Sequence, residues 1–474
     1  MSTLILFAAA APFRGAVQLG DGTRALLRGV DALGDDSLFN PLVFIDEFGI
    51  EVGSRARFLE RSGAAGTVWR ASLSGLAGLE IADPAGKRPW RGRDVFALII
   101  KRFMQAAERT FGLEIYRLVV VVPPGLDQAD GKALIEAGHI AGCALVDLQD
   151  LAERLAASHD SEVGKRHLLI QHDRDQLRLS LFRCDAARTR FESIRDLSDG
   201  WSGERLVERV LPRLTQEGRN PLQVQEFLAD ELRRWSLREA SEKLIASDFG
   251  PPQPLYLPAE ARSLLAQEIV DQVTAVLTIV SVAPTKLDWV HLHGPWCAEL
   301  GGLFSALAPA ARINVLKASA DALELAVPEP VARPVLSSAV WAGSSPGDRI
   351  AVHTARQIPL LSAGNTLPAL YYDEGFASEQ FFQSVAVFMA NGGEPVQIGA
   401  LPLPRLYEQR SHCRFRLRVI ADTPNYVVLL GDLAIEANSH IFMFDKSNET
   451  FQEIDQRVVA LLSREAQIER TRLG

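Results

Sequence analysis

Apolar positions along this chain change their period repeatedly, and each change marks an element. Four valines, Val119 to Val122, follow Arg117-Leu118 and end at Pro123-Pro124-Gly125, the pattern of a strand buried inside an α/β sheet. Ala129, Ala133, Leu134, Ala137 and Ile140 then recur at helical spacing, and Asp127 stands where an N-cap belongs. Upstream, Val95, Leu98, Ile99, Phe103, Met104, Ala106, Ala107 and Phe111 lie on one helical stripe. Asp94 to Gly142 is therefore predicted as helix, strand, turn and helix.

The same reading extends both ways. Ser2 to Ala9, Gly15 to Leu19 and Ala25 to Arg28 are predicted as short strands, with Gly20-Asp21-Gly22 supplying a hairpin turn. Arg166 to Arg183 alternates as a hairpin, Ala261 to Ser281 has a long helical pattern, and Trp289 to Leu292 is a strand ending near Gly294. Val327 to Pro334 holds three prolines and predicts a stiff linker. Beyond it the pattern becomes all-β. Ser384 to Glu394 alternates with Val385, Val387 and Met389 on one face. Arg414 to Ile420 and Tyr426 to Leu430 are hairpin partners across Thr423-Pro424-Asn425. A last helix is predicted over Thr450 to Arg472, with Phe451, Ile454, Val458, Leu461 and Leu462 on a face. The fold class is thus α/β then all-β: an α/β domain over 1–326, a linker over 327–340, a β-sandwich over 341–446 and a C-terminal helix over 447–474.

Composition narrows the partners. The formal charge of −9 and pI near 5.6, with no long basic run, argue against nucleic acid. The longest apolar stretch, Leu4 to Phe13, is about half of what a bilayer requires, and no Lys or Arg precedes Arg14. It reads as a buried first strand, so no membrane is expected. Cys143, Cys184, Cys297 and Cys413 are too scattered for a disulfide framework and imply reduced cysteines in a cytoplasmic protein.

Several stretches carry a resemblance. Phe111-Gly112 ends a helix, Val122-Pro123 ends a strand, and Glu136-Ala137-Gly138-His139-Ile140-Ala141-Gly142 follows. Ser202-Gly203-Glu204, Leu237 to Leu244 and Ile358 to Pro368 come later in the same order. Together they resemble the seventy-kilodalton heat-shock chaperone family, with the DnaK-like arrangement. The resemblance implies a two-lobed, actin-like ATPase domain, with a strand at Asn40 to Ile45 and a hairpin closed at Val52-Gly53, then a β-sandwich that binds extended peptides, with a hairpin over Ile358 to Pro368 and the family's helical lid reduced to its first helix. It implies Gly203, Glu242 and Gly294 as nucleotide-binding residues, Val385, Val387 and Met389 as peptide-binding residues, and Pro123 as the interdomain relay.

The ATPase chemistry is not carried along. Hydrolysis on such a fold needs glycine-rich hairpins around the phosphates, carboxylates for Mg²⁺, and a lysine and glutamate near the attacking water. The first hairpin position is Ala8-Ala9-Ala10-Ala11-Pro12-Phe13, and the second is Gln171-His172-Asp173-Arg174-Asp175-Gln176. Side chains stand where glycines would let a phosphate approach. The family lysine falls near Ser72, with Arg70 as a substitute of different geometry, and the family glutamate falls near Leu151. The arginine partner of the relay proline falls at Gly131. The resulting expectation is a pseudo-ATPase that needs no cofactor and binds a client peptide or protein, with ATP and Mg as the alternative. Two other roles stand beside it: a regulatory or assembly partner of an active chaperone or co-chaperone, and an ATP-dependent chaperone with atypical phosphate loops. His291, His293 and Cys297 have the spacing of a metal site or of strand-end polar residues, and Asp173 with Asp175 that of a cation site or a solvated turn.

Overall fold

A computed structural model describes residues 2–9, 13–20, 22–31, 39, 41–158, 164–172, 177–184, 189–197, 259–294, 297–316, 339–344, 358–361, 369–378, 384–390, 396–402, 413–421, 427–433, 440–445 and 450–462. The first lobe is built on a five-stranded sheet. Its strands are β1 (Ser2–Phe7), β2 (Arg14–Gln18) and β3 (Arg24–Leu26), followed in sequence, after an insertion, by β9 (Ile115–Val122) and β10 (Leu145–Asp150). The order is β3-β2-β1-β9-β10, antiparallel across β1 to β3 and parallel across β1, β9 and β10. The insertion holds β4 (Leu42–Asp46), β5 (Gly49–Val52), helix α1 (Ser54–Arg61) and β6 (Thr67–Arg70), then the small hairpin β7 (Glu80–Ile81) and β8 (Trp90–Arg91). Helix α2 (Gly92–Phe111) leads into β9, and α3 (Gln128–Ala141) joins β9 to β10. Asp127 caps α3 as expected, its carboxylate accepting from the Ala129 N–H at 3.1 Å. Helix α4 (Leu151–Ser158) follows β10.

The second lobe repeats this plan. Strands β11 (Arg166–His172), β12 (Leu177–Cys184), β13 (Thr189–Asp196), β14 (Trp289–His293) and β15 (Arg312–Val315) lie in the order β13-β12-β11-β14-β15. The directions match those of the first sheet strand for strand. Helix α5 (Ala259–Ile279) precedes β14 as α2 precedes β9, and α6 (Cys297–Leu307) joins β14 to β15 as α3 joins β9 to β10. The period-two alternation of the strands sorts their residues between faces. Leu4, Leu6, Leu118 and Val120 pack under α2 and α3, while Leu168, Ile170, Val290 and Leu292 pack under α5 and α6. The opposite faces meet through Ile5, Phe7, Val119, Val121, Leu169 and Phe182, with Leu151 and Leu155 of α4.

From Ala339 to Glu453 the described residues are strands. Sheet order β17-β16-β19-β20 holds β16 (Ala339–Ser344), β17 (Ile358–Leu361), β19 (Ser384–Ala390) and β20 (Val396–Pro402). Sheet order β18-β21-β22-β23-β24 holds β18 (Ala369–Ser378), β21 (Cys413–Ala421), β22 (Val427–Leu433), β23 (His440–Asp445) and β24 (Thr450–Glu453). Ile358–Leu361, expected as one arm of a hairpin reaching Pro368, forms β17, whose described partner is β16, and residues 362–368 lie outside the described residues. Two expectations are corrected here. The linker prolines lie outside the described residues, but Ala339 and Val340, expected in the linker, already belong to β16. The C-terminal helix does not begin at 447: Thr450–Glu453 is a strand paired with β23, and helix α7 spans 456–462. Thr450 and Phe451 favour extended backbone, and the ladder to β23 satisfies their main chain.

Candidate inter-lobe site

The ends of β1, β11 and β14 meet between the lobes, at the positions to which the resemblance assigns the two phosphate hairpins (after β1 and β11) and the adenosine-side glycine (after β14). The first opens with Ala8, whose N–H donates to the Val121 carbonyl at 3.0 Å, and Ala9. The second opens after Gln171, whose Nε2 donates to the Ala9 carbonyl at 3.1 Å and so ties the two lobes together. The third is Gly294, with φ of +148°, and a Cβ built there would lie 2.2 Å from the His172 carbonyl and 2.4 Å from its imidazole. Gly294 is thus required by the close passage of His172, a reason independent of any nucleotide. His293 lies against Phe7 across the seam, with ring centroids 5.2 Å apart.

The electrostatics of this seam are those of a packed interior. Burial lowers the His172 pKa to about 3, with His293 adding to the effect. Burial lowers that of His293 to about 4, with the Arg14 charge adding to it. Both rings are neutral at neutral pH and offer no positive charge to a phosphate. Leu151, at the position of the family glutamate, is fully buried among apolar residues. Arg70, the substitute for the lysine, pairs with Glu60 at 3.3 Å within the inserted unit. The arrangement exchanges hydrogen bonds and ring contacts between the lobes.

The relay turn is wired differently from the expectation. Gly131, at the arginine position, has Leu148 Cδ1 3.2 Å from where its Cβ would be. Instead Arg178 of β12 reaches across from the second lobe, donating from Nη2 to the Pro124 carbonyl at 2.9 Å. Beside it, the Gly125 N–H donates to Asp150 Oδ2 at 3.0 Å, and Asp150 Oδ1 accepts from the Ala152 N–H at 2.7 Å at the start of α4. Burial holds the Asp150 pKa above its ordinary value, against the pull of these bonds. Pro123 thus sits in a turn gripped from both sides. Arg178 was legible only as a lone cation on the Ser180 and Phe182 face of an otherwise apolar alternation.

The metal reading of His291, His293 and Cys297 separates into three contacts. His291 Nε2 lies 3.0 Å from His167 Nδ1, and the Asn314 amide lies 3.2 Å from His291 Nδ1. With Asn314 donating, His291 carries its proton on Nε2 and donates to His167. The Cys297 thiol instead donates to the Gly294 carbonyl at 3.0 Å. Among the described residues no three His, Cys, Asp or Glu gather as metal ligands. Gly203, Glu242, Asp173 and Asp175 lie outside the described residues. Val385, Val387 and Met389 lie on β19, an interior strand paired with β16 on one side and β20 on the other. Its main chain is therefore committed to the sheet and not open to an added strand. No helix among the described residues is long and apolar enough to cross a membrane. No protein-family model matches this chain, and no curated protein matches it.

Proposed function

We propose that this chain is a non-hydrolysing protein of the seventy-kilodalton heat-shock chaperone type. It binds an extended peptide or dedicated client protein through its β-rich half and uses the two-lobed half as a fixed scaffold in the cytoplasm. The duplicated sheet order supports the two-lobed part of this reading. The observation that carries the rest is the seam between the lobes. Gln171 bonds Ala9 and His172 fills the space against Gly294, so side chains stand where an ATPase of this type needs bare backbone. Opening that space would break a buried hydrogen bond and expose two neutral histidines.

Because β19 is an interior strand, Val385, Val387 and Met389 would serve such a client with side chains rather than by strand addition. The buried cysteines Cys143 and Cys297 fit a reducing compartment. Isothermal titration of the full chain, at about 100 µM, with Mg-ATP and Mg-ADP tests the reading. The expected result is no binding heat. Micromolar binding would overturn it and favour an ATP-dependent chaperone with rebuilt phosphate loops.

A further inference from the structure

We infer that the C-terminal turn and helix form a clamp that holds the β-rich half against the first lobe whether or not a nucleotide is present. The inference stands on contacts of its own and does not rest on the chaperone reading. Its centre is Arg457, in the first turn of α7. The guanidinium lies over the Trp90 ring, with Cζ 4.1 Å from the centroid, and Nη1 donates to Asp83 Oδ2 at 2.5 Å. Nη2 donates to the Arg88 carbonyl at 2.8 Å and to Asp455 Oδ2 at 2.7 Å. A planar fork satisfied on its edges and stacked on its face is a use of arginine that lysine cannot reproduce. All its partners except Asp455 come from the β7–β8 hairpin of the first lobe.

Apolar packing continues the contact. Ile441 and Met443 of β23, with Ile454, Val458 and Leu462, are buried in the same core as Ile81 and Trp90. The Ile454 N–H donates to the Ile441 carbonyl at 2.8 Å, so the turn entering α7 is fastened to the second β-sheet. One short segment therefore belongs to both halves. The residues expected to begin a lid over a bound peptide are buried against the first lobe instead. Residues 456–462 cannot gate the β-rich half while they are seated there.

Hydrogen exchange of the full chain tests the clamp. In the unaltered protein, residues 80–91 and 454–462 are expected to be protected together, and millimolar Mg-ATP is expected to leave both unchanged. Arg457→Glu faces Asp83 with a like charge and is expected to speed exchange in both segments about tenfold, equivalent to about 1.4 kcal/mol, while 166–172 and 289–293 keep their protection. Should that variant unfold more widely, Arg457→Lys, which keeps the charge and loses the fork, is expected to give a smaller acceleration in the same two segments. Acceleration in one segment without the other, no change in either, or release by Mg-ATP would overturn the inference. Nucleotide binding without release would sink the pseudo-ATPase reading and leave the clamp standing.

Discussion

The two lobes share a strand order and differ in what they turn toward each other. Toward their own helices both sheets present aliphatic side chains: Leu4, Leu6 and Val120 in the first, Leu168, Ile170 and Leu292 in the second. Toward the seam, the first lobe shows Ile5, Phe7, Val119 and Val121, whereas the second shows His167, Gln171, Ser180, His291 and His293 beside Leu169 and Phe182. The helix-facing pattern fixes strand direction and order, because a register slip by one residue would turn every aliphatic out of the core. The seam-facing side is free of that constraint, so two copies of one topology can differ there. The polar residues of the second lobe are buried, and of these Gln171 bonds to Ala9 and His293 packs on Phe7 of the first lobe, whereas His167 and His291 bond to each other.

Acid should separate the lobes most strongly. The His172 and His293 rings have folded pKa values near 3 and 4, below the unfolded value of about 6.5. Above 6.5 both states are neutral and nothing changes. Between 6.5 and 4 the unfolded chain binds the extra protons, so stability falls as pH falls, and below the folded values the loss stops growing. At pH 5 each ring costs about 2 kcal/mol, as 1.5 pH units at about 1.4 kcal/mol each. In the first lobe burial raises the pKa values of Asp94 and Asp150. Those groups bind protons in the folded state first and shift stability the opposite way as pH falls through their folded values. Denaturant titrations at pH 7 and pH 5, followed by exchange in β11 and β9, should show the second lobe losing stability first. Equal losses in both would end the comparison at this point.

Equivalent glycines sharpen it further. Gly125 follows β9 and Gly294 follows β14, both at positive φ, +66° and +148°. A methyl at Gly125 meets the Ile194 Cδ1 tip, at 2.3 Å, which can rotate away, and leaves a left-handed alanine. Gly125→Ala should cost about 1–2 kcal/mol. A methyl at Gly294 meets a main-chain carbonyl, at 2.2 Å, and the ring behind it, neither of which can yield without moving β11. Gly294→Ala should cost about 3 kcal/mol or more, measured as the shift in denaturation midpoint at constant slope. Similar costs at the two sites would mean that His172 is not held where it is described.

Much of the lobes was legible because periodicity reports burial directly. The four valines, the stripe from Val95 to Phe111 and the Asp127 cap each act within one element. What escaped were the pairings between elements. Alternation at Ile358 to Leu361 says strand but not which neighbour it joins, and that neighbour proved to be β16. Thr450 to Glu453 adjoins a real helical spacing at Ile454, Val458, Leu461 and Leu462, so the pattern carries the helix back to Thr450, whereas it begins at 456. Of the candidate site residues, Pro123 and Gly294 fall at the inter-lobe turns, for reasons of packing. Arg178, Gln171 and Arg457 act on Pro124, Ala9 and Asp83, and no local pattern pairs residues so far apart in the chain.

The smallest effect tests the tie between the lobes itself. Gln171 is 3 % exposed, and its Nε2 bond to Ala9 is buried, so replacing it with alanine leaves the Ala9 carbonyl short of a donor. Taken alone that would cost about 1–3 kcal/mol. The other end of the amide works against it. Gln171 Oε1 is buried with no hydrogen-bond partner among the described residues, and the substitution removes that unsatisfied acceptor too. Gln171→Ala should therefore destabilise by only about 1 kcal/mol in equilibrium unfolding. Exchange should rise at Ala8 and Ala9 in the first lobe and at His172 in the second, because both ends of the seam lose the same bond. A rise confined to the second lobe would mean that Gln171 supports its own sheet and that the lobes are joined by Arg178 and apolar contact instead.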